Sequence, residues 1–349
     1  MTALPPGPLT GPSAWTGAEM AAQPYLWRRE LTPAQIAELE TAAARFASLG
    51  KDLGQITASD FPLDDFAAEL ANLQDELRTG CGVRVISGLD VSRYDRATAA
   101  TIFCGIGAHL GKARSQNAAG HTLGHVRDVG ADPNAPDTRI YQTHARQTFH
   151  TDSADVVGLL CLHTAKEGGR SLLVSAETLW NRMLAEDPAS AARLFEPVAT
   201  DRRGEVPAGE NPWFDIPVLN WYAGKLTICY QRQYIESAAR FDGVPALTPD
   251  YVVALDLLDR IANDPEVHLS MDLAPGDMQF VYNHNQLHDR TGFVDWPDPD
   301  RRRHLLRLWL SLPGDRELPP IFAQRYGSIT PGDRGGIMVP GTALHAPLD

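Results

Sequence analysis

Of the eleven histidines in this 349-residue chain, one alone is followed two residues later by an aspartate: His150-Thr151-Asp152. On a β-strand, positions i and i+2 point to the same face, so this imidazole and this carboxylate can grip one ion. The tripeptide is weak by itself, because roughly one chance match is expected among that many histidines. A facial site of two histidines and one carboxylate needs a second imidazole from another strand, and it leaves coordination positions open for a co-substrate and O2. His288 is the candidate, with His284 as its rival, both at the polar exit of the run that begins at Met278.

Downstream comes Arg301-Arg302-Arg303-His304-Leu305-Leu306-Arg307-Leu308-Trp309-Leu310. If 303–310 is a strand, Arg303, Leu305, Arg307 and Trp309 share one face. His304, Leu306, Leu308 and Leu310 share the other, which is nearly all apolar. Two guanidinium groups inside a barrel are costly unless anions meet them. A dicarboxylate would supply such an anion, gripped bidentately by an arginine fork. The bland alternative makes 301–303 a solvated rim and Arg307 a surface residue on an edge strand; the nearby His-x-Asp pair favours the anion site.

These side chains must be carried by a framework, and its pattern is legible. Thr32-Pro33-Ala34-Gln35 is a helix start, with a capping hydroxyl, proline at the first helical position and glutamine three residues after the cap. Phe66, Leu70, Leu73 and Leu77 form a second helical stripe ended by Gly80, and 95–110 reads as a third helix closed by Gly111. Val83 to Ile86 reads as a strand. Beyond residue 139 come short β-like runs at 156–163, 171–175, 225–230, 278–282 and 303–310, with helical inserts at 178–186 and 249–262. Without strict strand–helix alternation, the pattern favours an antiparallel barrel or jelly roll buttressed by helices: mainly β with flanking α-helices. Residues 1–24, rich in Pro, Gly and Ala, read as a flexible N-terminal tail, and 25–349 as a single domain. The net charge of −13 gives nucleic acid and anionic membrane surfaces a low prior as partners. Four scattered cysteines suggest neither a disulfide framework nor a thiolate zinc site. No signal peptide or membrane-spanning run is evident, so the expected location is cytoplasmic and the expected partner a small molecule. A homo-oligomer is compatible with all of this.

Four blocks in order then resemble the taurine/α-ketoglutarate dioxygenase family of clavaminate-synthase-like oxygenases: Phe149-His150-Thr151-Asp152, Glu167-Gly168-Gly169-Arg170-Ser171-Leu172, Leu287-His288-Asp289-Arg290-Thr291-Gly292-Phe293 and Arg302-Arg303-His304-Leu305-Leu306-Arg307. The similarity covers roughly residues 80–313. It implies a double-stranded β-helix (jelly roll) and an Fe(II)-dependent enzyme that uses 2-oxoglutarate and O2 as co-substrates. Succinate and CO2 would be released as a small organic substrate is oxidised. By resemblance, His150, Asp152 and His288 are the iron ligands. Arg303 and Ser171 would bind the distal carboxylate of 2-oxoglutarate, Ser171 standing where the family usually has threonine. Arg307 falls where taurine dioxygenase meets its substrate's sulfonate, which implies an acidic group on the substrate. The segment Gly111 to Asn117 lacks that enzyme's sulfonate-binding histidine and offers Gln116 or Arg114 to line the substrate pocket instead.

Other readings fare worse. Halogenating relatives lack the ligating carboxylate, so Asp152 favours oxidation without halide. A non-catalytic jelly roll would be expected to have lost one of His150, Asp152, His288 or Arg303. A metal-dependent hydrolase on the same triad leaves Arg303 and Ser171 unexplained.

Overall fold

The computed structural model describes residues 4–133, 135, 138–207 and 209–349. Thr32 caps the first long helix, Pro33–Ser48, with Gln35 returning the bond to its backbone as the capping box requires. With Asp65–Thr79 and Arg96–Leu110 it forms a layer whose apolar stripes (Leu39, Phe46, Phe66, Leu70, Phe103, Ile106) meet one core.

Beneath that layer lies the larger sheet, in the order Arg28–Glu30, Val83–Ser87, Met278–Tyr282, Val156–His163, His304–Ser311 and Lys112–Ala113, with Leu123–Val126 also paired to His304–Ser311. The first pair is parallel and the others antiparallel. Period-two alternation assigns the faces. Leu306, Leu308 and Leu310 join the helix-side core, while Leu305 packs with Val126 and Cys161, and Trp309 with Ala154 and Val157, on the opposite face.

A second, wholly antiparallel sheet follows the order Leu269–Met271, Ser171–Ser175, Gln286–Arg290 and Gln147–His150. Its outer face, with Phe149, Leu172, Val174 and Leu287, is covered by the helices Ala176–Glu186 and Pro249–Ala262. The two inner faces enclose the space between the sheets, the arrangement of a double-stranded β-helix with flanking helices. Leu173, Val83, Val85, Val281 and Met271 fill one end of that space with carbon. The other end holds the polar side chains.

The expected flexible tail is not what the described N-terminal residues form. Thr16 caps a short helix, Gly17–Ala22, and Trp15 and Met20 are buried in the closed end beside Trp27 and Val83. The Trp15 indole donates to the carbonyl of Cys81 at 2.8 Å, Trp180 donates to the carbonyl of Gly7 at 2.9 Å, and Leu9 exchanges bonds of 2.7 Å with the Asn181 amide. Composition hid this because Pro and Gly dominate the segment, and two large apolar side chains are enough to anchor an extended strap.

Candidate active site

The outermost strand of the smaller sheet and its neighbour set His150 directly opposite His288, and the ring centroids lie 4.1 Å apart. Asp152 lies past the strand end, so the pleat alone does not aim it. Asn283 holds its backbone at both sides: the Asp152 N–H donates to Asn283 Oδ1 at 2.9 Å, and Asn283 Nδ2 donates to the Asp152 carbonyl at 2.6 Å. The carboxylate is fixed from the facing sheet, where Trp309 Nε1 donates to Oδ2 at 2.8 Å and Arg307 Nη1 approaches the same oxygen at 3.4 Å. His288 Nε2 lies 3.6 Å from that oxygen. One ligand atom from each of His150, Asp152 and His288 lies within 4.8 Å of the others.

The protonation states suit a cation. His150 Nδ1 lies 2.8 Å from the Thr148 carbonyl, which places its proton there and turns the lone pair of Nε2 inward, 2.8 Å from the Gln147 amide nitrogen. Burial, with His288 beside it, pushes the His150 pKa down to about 3, so the ring is neutral. Burial alone would raise the Asp152 carboxyl, but Arg307 and His288 outweigh it and hold the group below the ordinary range. A buried neutral imidazole at His150, a second imidazole at His288 and an ionised carboxylate at Asp152 make up the residue types of a facial Fe(II) site.

Two cavities meet at this triad. One, bordered by His150 and His288, runs between the sheets to Ser171, Gln279, Arg290 and Arg303, with Val157, Leu159 and Leu305 as its apolar wall. Arg303 is 6% exposed, and its Nη1 is buried with no hydrogen-bond partner. Burial pushes its pKa down to about 10, and that of Arg290 to about 9 with Arg303 adding to the effect. Gln279 Nε2 donates to Ser171 Oγ at 3.1 Å. The other cavity opens on the Asp152 side, among Tyr141, Tyr230, Tyr234, Arg307 and Trp309.

Glycine makes room for both arginines. Gly169 has φ +72°, and a Cβ there would stand 2.9 Å from Arg303 Nε. Gln116 lies under Arg307: its Oε1 accepts from Arg307 Nε at 2.7 Å, and its Nε2 donates to the Arg307 carbonyl at 2.8 Å. A Cβ at Gly124 would come 2.4 Å from that same Oε1.

Gln116 therefore braces Arg307 and lines neither cavity. Arg114 is turned away altogether, donating to the Gly335 carbonyl at 2.9 Å and to Asp333 at 2.7 Å, and thereby straps down the C-terminal segment. His284 is drawn into a separate fully buried cluster with Asp155, Asp315 and Arg334. His125 bonds to His304 at 2.8 Å, and His121 packs edge-on against His345, both away from the triad. Trp213 stacks on Phe241, while Trp221 and Tyr222 belong to a hairpin; none of the three borders either cavity. Sequence reasoning gave no role to Trp309, Arg290, Gln279, Gln147 or Asn283. The i+2 rule had already put Trp309 on the face of Arg307 without a role for it, and Arg290, two residues beyond His288, was within reach of the same rule.

The model of the taurine catabolism dioxygenase TauD/TfdA family matches residues 47–309, well over half of the chain. The chain belongs to the TauD/TfdA family. FR-33289 synthase of Streptomyces rubellomurinus is 32% identical over 92% of this dioxygenase and 95% of its own length. The taurine hydroxylase-like protein SAT17 of Stachybotrys chartarum is 29% identical over 86% of this chain and 79% of its own. Among solved structures, asparagine oxygenase in complex with Fe(II), 2S,3S-3-hydroxyasparagine and succinate has a TM-score of 0.63 at 18% identity, covering 81% of this chain and 93% of that one, which is a likeness of fold. The dioxygenase is a non-haem iron enzyme with 2-oxoglutarate and O2 as co-substrates. Among the described residues, no helix is long and apolar enough to cross a membrane.

Proposed function

We propose that His150, Asp152 and His288 hold the Fe(II), that Arg303 and Ser171 receive the distal carboxylate of 2-oxoglutarate, and that a small substrate enters the cavity on the Asp152 side and is hydroxylated there. The observation that carries this reading is the meeting of the two cavities at the triad, one of them ending in the unpartnered Nη1 of Arg303. When bound, iron and 2-oxoglutarate supply an oxidant from O2, with release of succinate and CO2.

The chain's own groups do the rest. Thr148 keeps the His150 proton on Nδ1, away from the metal side. Trp309 and Arg307 fix the Asp152 carboxylate, and Gln116 fixes Arg307. Arg303 and Arg290 supply the positive charge that a dicarboxylate needs at depth, while Val157, Leu159 and Leu305 keep water from it. Four free cysteines, two of them buried, fit a reducing cytoplasm. The net charge of −13 fits small-molecule partners rather than nucleic acid or an anionic membrane surface.

The test is succinate formation as a function of 2-oxoglutarate concentration, for the wild type and for Arg303→Gln. Loss of a charge-assisted pair at a buried site costs about 1.5–3 kcal/mol, so the variant should need roughly 10–100 times more 2-oxoglutarate. An unchanged dependence would remove Arg303 from the co-substrate site.

A further inference from the structure

The cavity on the Asp152 side is unusually cationic for a chain of net charge −13. Besides Arg307, it is bordered by Arg139, by the consecutive Arg202 and Arg203, and by Arg325, which come from three separate segments. Two of these have carboxylate partners: Arg139 pairs with Glu205 at 2.8 Å, and Arg202 with Glu210. The other two have none among the described residues. Arg203 donates from Nη2 to the Thr138 carbonyl at 3.0 Å and lies over the Tyr234 ring at 5.2 Å, with its buried Nε unpartnered. Arg325 lies over the Phe214 ring at 5.7 Å, and the charged group that bears most on it is another cation, Arg139.

Leaving two guanidinium groups beside a third in a half-enclosed cavity is unfavourable unless an anion joins them. The backbone at Arg203 strengthens the case. Its φ of +52° is a left-handed conformation uncommon outside glycine, asparagine and aspartate, and the turn there leaves its side chain at the cavity wall. A planar carboxylate carries one charge and would leave one arginine uncompensated. A tetrahedral dianion matches the charge of the two arginines without carboxylate partners, and its oxygens can accept from groups that reach the cavity from different segments.

We propose that Arg203 and Arg325, flanked by Arg139, recognise a doubly charged tetrahedral group, a phosphate monoester or a phosphonate, on the substrate of this enzyme. The assignment deepens the reading of this cavity as the substrate pocket. It gives the substrate an anchor in a different cavity from the one Arg303 borders, so that co-substrate and substrate anions are held by separate arginines.

The test uses calorimetry on the full chain with 2-oxoglutarate saturating, titrated at pH 8 with methyl phosphate, methylphosphonate, methanesulfonate and acetate; phosphate monoesters are then close to dianionic. The proteins are the wild type, Arg203→Gln, Arg325→Gln and the double variant. The expected result is binding of the two dianions at least about tenfold more tightly than the two monoanions, with a loss of about tenfold or more in each single variant. The Fe(II)–2-oxoglutarate absorbance of each variant is recorded alongside, and should match that of the wild type. Equal affinity for acetate and methylphosphonate, or undiminished binding in the double variant, would overturn the proposal. Because the heats are measured independently of the absorbance, failure of the iron and co-substrate reading would appear as a missing band, while the anion site would stand or fall on its own titration.

Discussion

At the scale of single residues, the triad proposed to hold iron depends on side chains outside it. Trp309 makes the shortest contact with the Asp152 carboxylate, so Trp309→Phe keeps most of the packing and removes one N–H donor. Partners of metal ligands typically contribute 10–100-fold to metal affinity, and Fe(II) titration of this variant should show a loss of about tenfold or more. An unchanged Fe(II) affinity would mean that Arg307 alone orients the carboxylate. Gln116 acts one step further out. Gln116→Ala frees Arg307 Nε and should raise the concentration of substrate needed for half-maximal coupled turnover, with the 2-oxoglutarate dependence left in place. A matching rise in both would show that Gln116 supports the whole site rather than Arg307.

At the scale of elements, the turn Glu167-Gly168-Gly169-Arg170 makes room for Arg303 in the cavity proposed for 2-oxoglutarate. Gly169→Ala combines a left-handed φ with a Cβ 2.9 Å from Arg303 Nε, so the variant should lose about 1 kcal/mol or more of stability and also weaken 2-oxoglutarate binding. Urea unfolding and the succinate assay would report the two losses separately. The strands carrying this site were readable as short, mostly apolar runs bounded by turn residues: 156–163, 171–175 and 278–282 form as expected, and His304–Ser311 differs by one residue at each end. Along 303–310 the period of two put Arg303 and Arg307 on one face, and the nearby His150-x-Asp152 pair favoured that face as the inward one. Gln116 and Arg114 were misjudged because they lie around the end of a two-residue strand, where no periodicity says which side chain points inward. Arg203 and Arg325 were invisible for a related reason. They stand in a turn and a four-residue helix, and only the tertiary fold brings them together.

At the scale of the whole molecule, two distant segments close the space between the sheets. The N-terminal strap seals the carbon-filled end, and Trp15→Ala should cost about 3–5 kcal/mol, measurable as a lowered urea midpoint. Near the C-terminus, Arg334 is fully buried and donates to Asp155 at 2.7 Å and Asp315 at 2.8 Å, with His284 2.8 Å from Asp155. Removing one partner of such a network leaves an unpaired buried charge, so Arg334→Leu should cost about 3–5 kcal/mol. Burial alone would raise the Asp155 carboxyl, but His284 and Arg334 hold it below the ordinary aspartate range. Its contribution is therefore present above the unfolded pKa and lost as the pH falls through the lower folded value. Asp155→Asn should flatten the acid limb of the stability profile.

The central claim is that His150, Asp152 and His288 hold iron in a way that lets 2-oxoglutarate join it. The most direct measurement is the visible spectrum of the metal-free protein after anaerobic addition of Fe(II) and then 2-oxoglutarate, for the wild type and for Asp152→Ala. A metal-to-ligand charge-transfer band should develop in the wild type and be lost or displaced in the variant. Iron fully bound by the wild type without any such band would contradict the account.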